Sequence, residues 1–232
     1  MPAYVGILIA VFAVSWASIF IRWCGDTPAL VISFYRMFWS TALLLIYQLL
    51  TRPEALQLKR MLSKNIRLMM LAGVLLALHF GSWIASIQLT QISHSLILES
   101  THPVFALLLS PLLLKEKGSW YAIVAAILTF FGVVIIAGQD LLTFDGRFLG
   151  DALALAGAVF VTLYMLIARH QRENIEIIPY LIMVYSAATL TLLFLVVLAG
   201  HNLLDYSLRV HGIMLLLAIV PTGIGHSLIN WA

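Results

Sequence analysis

Arg36 stands eight residues after Pro28 in an otherwise apolar stretch, Pro28-Ala-Leu-Val-Ile-Ser-Phe-Tyr-Arg36. A helix beginning at that proline rises about 1.5 Å per residue and carries the guanidinium roughly 12 Å below its start. A charge near the bilayer centre costs on the order of 3 kcal/mol or more, and Arg cannot easily snorkel out from that depth. Glu99 and His102 occupy the interior of another apolar stretch. Buried charge of this kind marks a polar cavity or pathway. The chemistry open to it is proton exchange, charge pairing or capture of a charged solute.

Ser95, Glu99, His102, Ala106 and Ser110 recur at three- and four-residue spacing, which predicts one shared face of a helix. Facing lipid, that stripe would be expensive, so it is expected to face other helices. A carboxyl drawn into a low-dielectric interior can take and release a proton during transport, which makes Glu99 the candidate for coupling. The bland alternative is a structural carboxylate paired with a cation or a backbone group. Arg36 and Glu99 lie at similar expected depths, roughly 12 and 10 Å. Pairing with Glu99, contact with an anionic substrate group and exposure at the interface all remain open for Arg36.

His79, Ser82, Ser86 and Thr90 form a second polar stripe, and Thr222, His226 and Asn230 a third. Small hydroxyl residues in membrane helices serve close packing and interhelical hydrogen bonds, the reading preferred for the serines. His79 can titrate or line a cavity, or it can be a satisfied interior histidine. Trp83, with Trp16, Tyr35, Trp39 and Tyr164, could stack on a ligand or simply pack. Trp23, Trp120 and Trp231 fall at segment ends and read as interface anchors.

These residues ride on a chain that is 62% hydrophobic and 10% charged. Soluble domains carry about 25% charged residues, so this composition excludes them. The length of 232 residues is therefore counted in spans of about 20 residues. Eight segments qualify, at 4–23, 28–50, 68–90, 92–114, 119–138, 149–169, 177–200 and 210–231. The expected fold class is an all-α polytopic membrane bundle of eight transmembrane helices. The start of the chain, Met1-Pro2-Ala3-Tyr4, lacks the basic n-region of a signal peptide, so the first span is expected to be retained.

Basic residues suggest the orientation. Arg52, Lys59, Arg60, Lys64, Arg67, Lys115, Lys117, Arg169 and Arg172 would share the side of the N-terminus, against Arg22, Arg147 and Arg209 on the other. Nine against three predicts a cytoplasmic N-terminus. Glu116, between Lys115 and Lys117, reads as a solvated loop charge. The net charge of +3 is spread over loops, with no basic stripe for nucleic acid. Cys24 is the single cysteine, so no internal disulfide or multi-cysteine metal site is expected, and no cofactor.

Three weak echoes appear in order at a nearly constant offset. Gly6 with Ala10 and Ala13 resembles Gly150 with Ala154 and Ala156. Thr27-Pro28 and its sequel resemble Ile178-Pro179, and His79-Phe-Gly81-Ser-Trp83 falls where Gly223-Ile-Gly225-His226-Ser227 lies. Five helices precede the second unit, so it must enter the membrane from the opposite side. That is the inverted-repeat plan of secondary transporters. The expected units are 1–138, with five helices, and 149–232, with three and hence truncated, either because the chain is a fragment or because the protein has only eight helices.

His79-Phe-Gly-Ser-Trp-Ile-Ala-Ser86, Glu99-Ser-Thr-His-Pro103-Val-Phe105, Leu112-Leu-Leu-Lys-Glu-Lys117, Phe34-Tyr35-Arg36 and Val220-Pro221 through Ala232 together resemble the EamA family of the drug/metabolite transporter superfamily. The resemblance spans essentially the whole chain and implies two five-helix units around a central cavity. It also implies about two further helices after Ala232. The implied function is secondary transport, as an exporter, of a small metabolite or drug-like compound by alternating access in the cell (inner) membrane. The expected partners are that solute, membrane lipids and protons as the coupling ion, with a homodimer as one way to complete a closed cavity. The residues expected to bind or couple are Glu99, Arg36, His79, His102 and Trp83.

Other classes fare worse. Glu99-x-x-His102 has the spacing used in di-metal bundles, but no second intramembrane Glu, no HExxH and no GxSxG accompanies it, so an enzyme is not expected. A non-transporting scaffold or assembly subunit is the remaining alternative. Pro103, Pro111 and Pro221 sit within spans and are candidate kinks.

Overall fold

A stretch of twenty apolar residues in lipid must satisfy its backbone internally, and a helix does so within one segment. In a computed structural model, which describes residues 2–51, 66–114, 120–143, 147–171 and 176–231, the chain does this throughout. The helices are α1 (Ala3–Ser15), α2 (Ala17–Trp23), α3 (Ala29–Thr51), α4 (Ile66–Leu89), α5 (Ile92–Glu99), α6 (His102–Leu114), α7 (Trp120–Thr143), α8 (Phe148–Gln171), α9 (Ile177–Leu198), α10 (Leu208–Leu217) and α11 (Ser227–Trp231), with a π-helical segment, Ala218–His226, between the last two. Seven stretches of the described residues are long and apolar enough to cross a membrane, among them the joined α1–α2 and α5–α6. The remaining expected segment, 119–138, the fifth in order, forms α7, which runs on to Thr143. This is a polytopic helical membrane protein.

Local chemistry sets the ends. Thr27 accepts no helical role; its Oγ1 donates to the Cys24 carbonyl at 2.7 Å, and the Pro28 carbonyl accepts from the amides of Val31 and Ile32 to begin α3. Gly25 makes the preceding turn at φ 60°. Helix α9 ends two residues before the expected 200, because Gly200 adopts φ 70° and lets the His201 amide donate to the Val196 carbonyl. That six-to-one bond is the Schellman stop that glycine permits.

Three spans are not the uninterrupted helices that apolar spacing predicts. The first is interrupted at Trp16, between α1 and α2. The fourth breaks at Ser100 and Thr101, just before Pro103, which has no N–H to offer an upstream carbonyl. Pro111, by contrast, is carried inside α6. The eighth widens into π geometry around Pro221.

α4 lies at the centre, packed along α8 on one flank and α9 on another, while α3 also packs on α9 and on the π segment. α1 packs on that same π segment, and α5 and α6 lie against α8. Glycines allow the closest approaches. A Cβ on Gly73 would collide with Ala187 and with the Val184 carbonyl of α9, and one on Gly225 would collide with Val14 of α1. The outward faces carry Leu8, Phe12, Leu50, Leu128, Phe194 and other apolar side chains. The buried set includes Arg36, His79, Ser86, Asp151, Thr162, Thr222 and His226. The core between helices is largely apolar, with Ile32, Met37, Leu76 and Ile84 fully buried. These polar side chains are gathered within it rather than on the outward faces, as the cost of polar groups in hydrocarbon requires.

Candidate functional site

Arg36 is fully buried, the bulkiest such side chain in the described protein. Its Nε donates to Thr222 Oγ1 at 2.7 Å, joining α3 to the π segment. The guanidinium carbon lies 4.1 Å above the Phe80 ring and 6.0 Å from the Trp83 ring, both on α4. Such cation–π stacking contributes about 2 kcal/mol when desolvated. Both terminal amino nitrogens of Arg36 are buried and have no hydrogen-bond partner among the described residues.

The π segment explains the placement of Thr222. Its hydroxyl donates to the Leu217 carbonyl at 3.1 Å, five residues back, which leaves an oxygen lone pair for Arg36. Pro221 removes one amide, and the hydrogen-bonding frame slips by one residue, a bulge that recurs at functional sites. Ser40 Oγ donates to the Arg36 carbonyl at 2.7 Å and lies 3.3 Å from that of Ala218, stitching the same seam.

His79 is buried on α4, one turn before Trp83, and stacks nearly parallel to it at 4° and 6.0 Å. Its Nδ1 lies 3.0 Å from the Gly157 carbonyl of α8. A carbonyl only accepts, so Nδ1 carries the hydrogen and Nε2 is left as the acceptor of the neutral ring. Gly157 permits this: a Cβ there would meet Trp83 and Ser82 at 3.3 Å. The His226 ring comes within 5.4 Å of Phe80 and 6.5 Å of His79.

Glu99 and His102 do not form one continuous helical stripe. Glu99 is the last residue of α5 and His102 the first of α6. His102 Nδ1 lies 3.3 Å from the Glu99 carbonyl, and the His102 carbonyl accepts from Thr162 Oγ1 of α8 at 2.9 Å. The break therefore frees backbone groups that neighbouring side chains capture. Arg36 and Glu99 are near enough for their charges to interact, but no ion pair within 4.0 Å joins them among the described residues. Electrostatic reach also links Arg36 with His79 and His226, and His102 with both of those histidines.

Of the five residues singled out by type and spacing, Arg36, His79 and Trp83 meet in one buried cluster. Glu99 and His102 are half-buried at the α5–α6 break, within electrostatic reach of it. Thr222 and His226, read only as a comparable stripe, join the cluster. Phe80 and Gly157 were not singled out, since an apolar ring and a glycine are ordinary in such helices. The serines satisfy themselves locally: Ser33 donates to Ala29, Ser82 to Leu78, and Ser86 and Ser95 share a bond across the α4–α5 corner. Trp16 lies on the outer surface, stacked on Phe20, and Tyr164 is buried with its hydroxyl donating to Asn230 Oδ1 at 3.0 Å. Arg52, Lys59, Arg60, Lys64, Lys115, Glu116, Lys117 and Arg172 lie outside the described residues.

A bundle of membrane-spanning helices with an Arg and several polar side chains buried among them defines a multi-pass membrane protein with a polar cluster in its interior. The model of the EamA-like transporter family matches residues 1–138, more than half of the chain. The chain belongs to the EamA-like transporter family, within the drug/metabolite transporter superfamily. A solved crystal structure of a protein has the same fold, with a TM-score of 0.70 at 15% identity, covering 99% of this chain and 79% of the other. No curated protein matches the sequence.

Proposed function

We propose that this protein is a secondary transporter that exports a small metabolite by alternating access, with the centre around Arg36 as its binding site. The observation that carries the reading is the bond from Arg36 on α3 to Thr222 on the π segment. It joins residues 1–138 to residues 149–232, read as two units of an inverted repeat. A site between such units, reached from either side as they rock, is how secondary transporters work.

The packing supports two units. If the spans are counted in order, α4 on α8 is the third on the sixth, and α1 on the π segment is the first on the eighth. A twofold exchange of units turns one pair into the other. It likewise exchanges α4–α9 with α3–π, and it maps α3–α9 onto itself.

Glu99 is the proton-sensitive group in this reading. It terminates α5 at a helix break, within electrostatic reach of Arg36 and free of a close ion pair. Taking up a proton would change the balance of charge around Arg36 and so link solute binding to the proton gradient. The excess of basic residues on the N-terminal side supports a cytoplasmic N-terminus in the cell membrane.

The test is efflux of a labelled metabolite extract from proteoliposomes under imposed pH gradients. Wild-type efflux is expected to respond to the gradient, and Glu99→Gln to transport without that response. An unchanged pH response in Glu99→Gln would refute the coupling role. Efflux no greater than from protein-free vesicles would remove the transporter reading itself.

A further inference from the structure

We infer that the transported solute carries a carboxylate that docks on the two amino groups of Arg36, with an apolar body lodged beside Phe80 and Trp83. This rests on the transporter reading above and names its substrate class. A guanidinium offers five N–H donors in one plane and cannot be deprotonated. In Arg36 only Nε is used, on Thr222. The Phe80 ring packs 4.1 Å from the guanidinium carbon and Thr222 takes Nε, which leaves the edge where both amino groups sit for a further ligand. That edge matches two carboxylate oxygens.

The surroundings lean the same way. Trp83 Nε1 is another buried donor with no partner among the described residues. With the Arg36 amino groups it makes a set of donors lacking acceptors, suited to a ligand that only accepts. Burying a charge unpaired is costly, and Glu99 forms no ion pair within 4.0 Å to offset it. The flat walls of Phe80 and Trp83 favour an apolar or aromatic body next to the charged end. A cationic solute would meet Arg36 unfavourably, and a neutral amide would leave its charge unbalanced.

The experiment compares probes of one shape. Thermal unfolding of the detergent-solubilised protein is followed with benzoate and phenylacetate, and with benzamide and phenylacetamide. Each carboxylate is expected to raise the midpoint by about 2 °C or more at saturating concentration, and its amide not to. Arg36→Gln should abolish the difference, and Trp83→Phe should weaken it. If Arg36→Gln does not fold, the wild-type comparison and Trp83→Phe still decide. Equal shifts for acid and amide, or no shift with any carboxylate, would overturn the assignment. Counterflow in proteoliposomes separates the two readings. A carboxylate-specific shift without counterflow of that acid keeps the Arg36 site and counts against transport. Counterflow of neutral or cationic solutes alone keeps transport and overturns the carboxylate.

Discussion

Arg36 Nε and Thr222 Oγ1 lie 2.7 Å apart although 186 residues separate them in the chain. The Thr222 hydroxyl spends its single hydrogen on the Leu217 carbonyl, so towards Arg36 it can only accept. A buried cation is thereby held by a neutral oxygen rather than a carboxylate, which keeps its direction fixed and its charge available.

Thr222→Val keeps the shape and removes the acceptor. Hydrogen bonds to charged groups contribute about 1.5–3 kcal/mol, so a loss of stability in that range is expected. Thr222→Ser should retain most of it. Thermal unfolding of the two variants side by side checks this, and equal midpoints for Val and Ser would show that the bond carries no weight.

For His79 the donor matters more than the ring. His79→Asn can keep an N–H directed at the Gly157 carbonyl, whereas His79→Leu cannot. We expect Leu to cost about 1 kcal/mol more than Asn in unfolding free energy. Nitrogen NMR on the wild type should find the hydrogen on Nδ1.

Glycine positions give a graded set. Gly73→Ala drives a methyl into the α9 backbone at Val184 and Gly225→Ala drives one into Val14, whereas Gly212→Ala meets nothing within 4 Å. Overpacking of this kind costs about 1–3 kcal/mol. Midpoints should fall for the first two and hold for the third. Gly73→Ala should be the worse, because its obstacle is backbone and cannot swing aside.

Cys24 lies between the first two spans, and burial pushes its thiol from an ordinary 9.0 up to about 12. The reactive thiolate is therefore scarce at pH 8. Maleimide labelling of the folded protein should be at least about 100-fold slower than after unfolding in SDS. The linkage follows the raised value: stability from this group is whole below pH 9 and is lost as pH rises towards 12. Cys24→Ala should flatten that alkaline limb of the unfolding midpoint.

Composition and periodicity alone establish a membrane bundle, because lipid leaves an apolar chain few choices beyond helices. Seven expected spans are recovered with ends shifted by a residue or two. Residue type alone also marks Arg36, Glu99, His79 and His102, since charge and imidazole are expensive in hydrocarbon wherever they point. The breaks are less legible. Pro103 and Pro221 warn of disturbance, yet a proline can ride quietly inside a helix, as Pro111 does in α6. Only packing turns one into a gap at Ser100 and Thr101 and the other into a π segment. The partner of Arg36 is set in the same way. Glu99 at similar depth is the electrostatic favourite, but long-range packing brings Thr222 and the Phe80 ring to the guanidinium instead. Depth along a helix axis follows from counting residues. Which helices face each other across the axis does not, because that depends on side-chain volumes and close glycine contacts summed over the whole bundle.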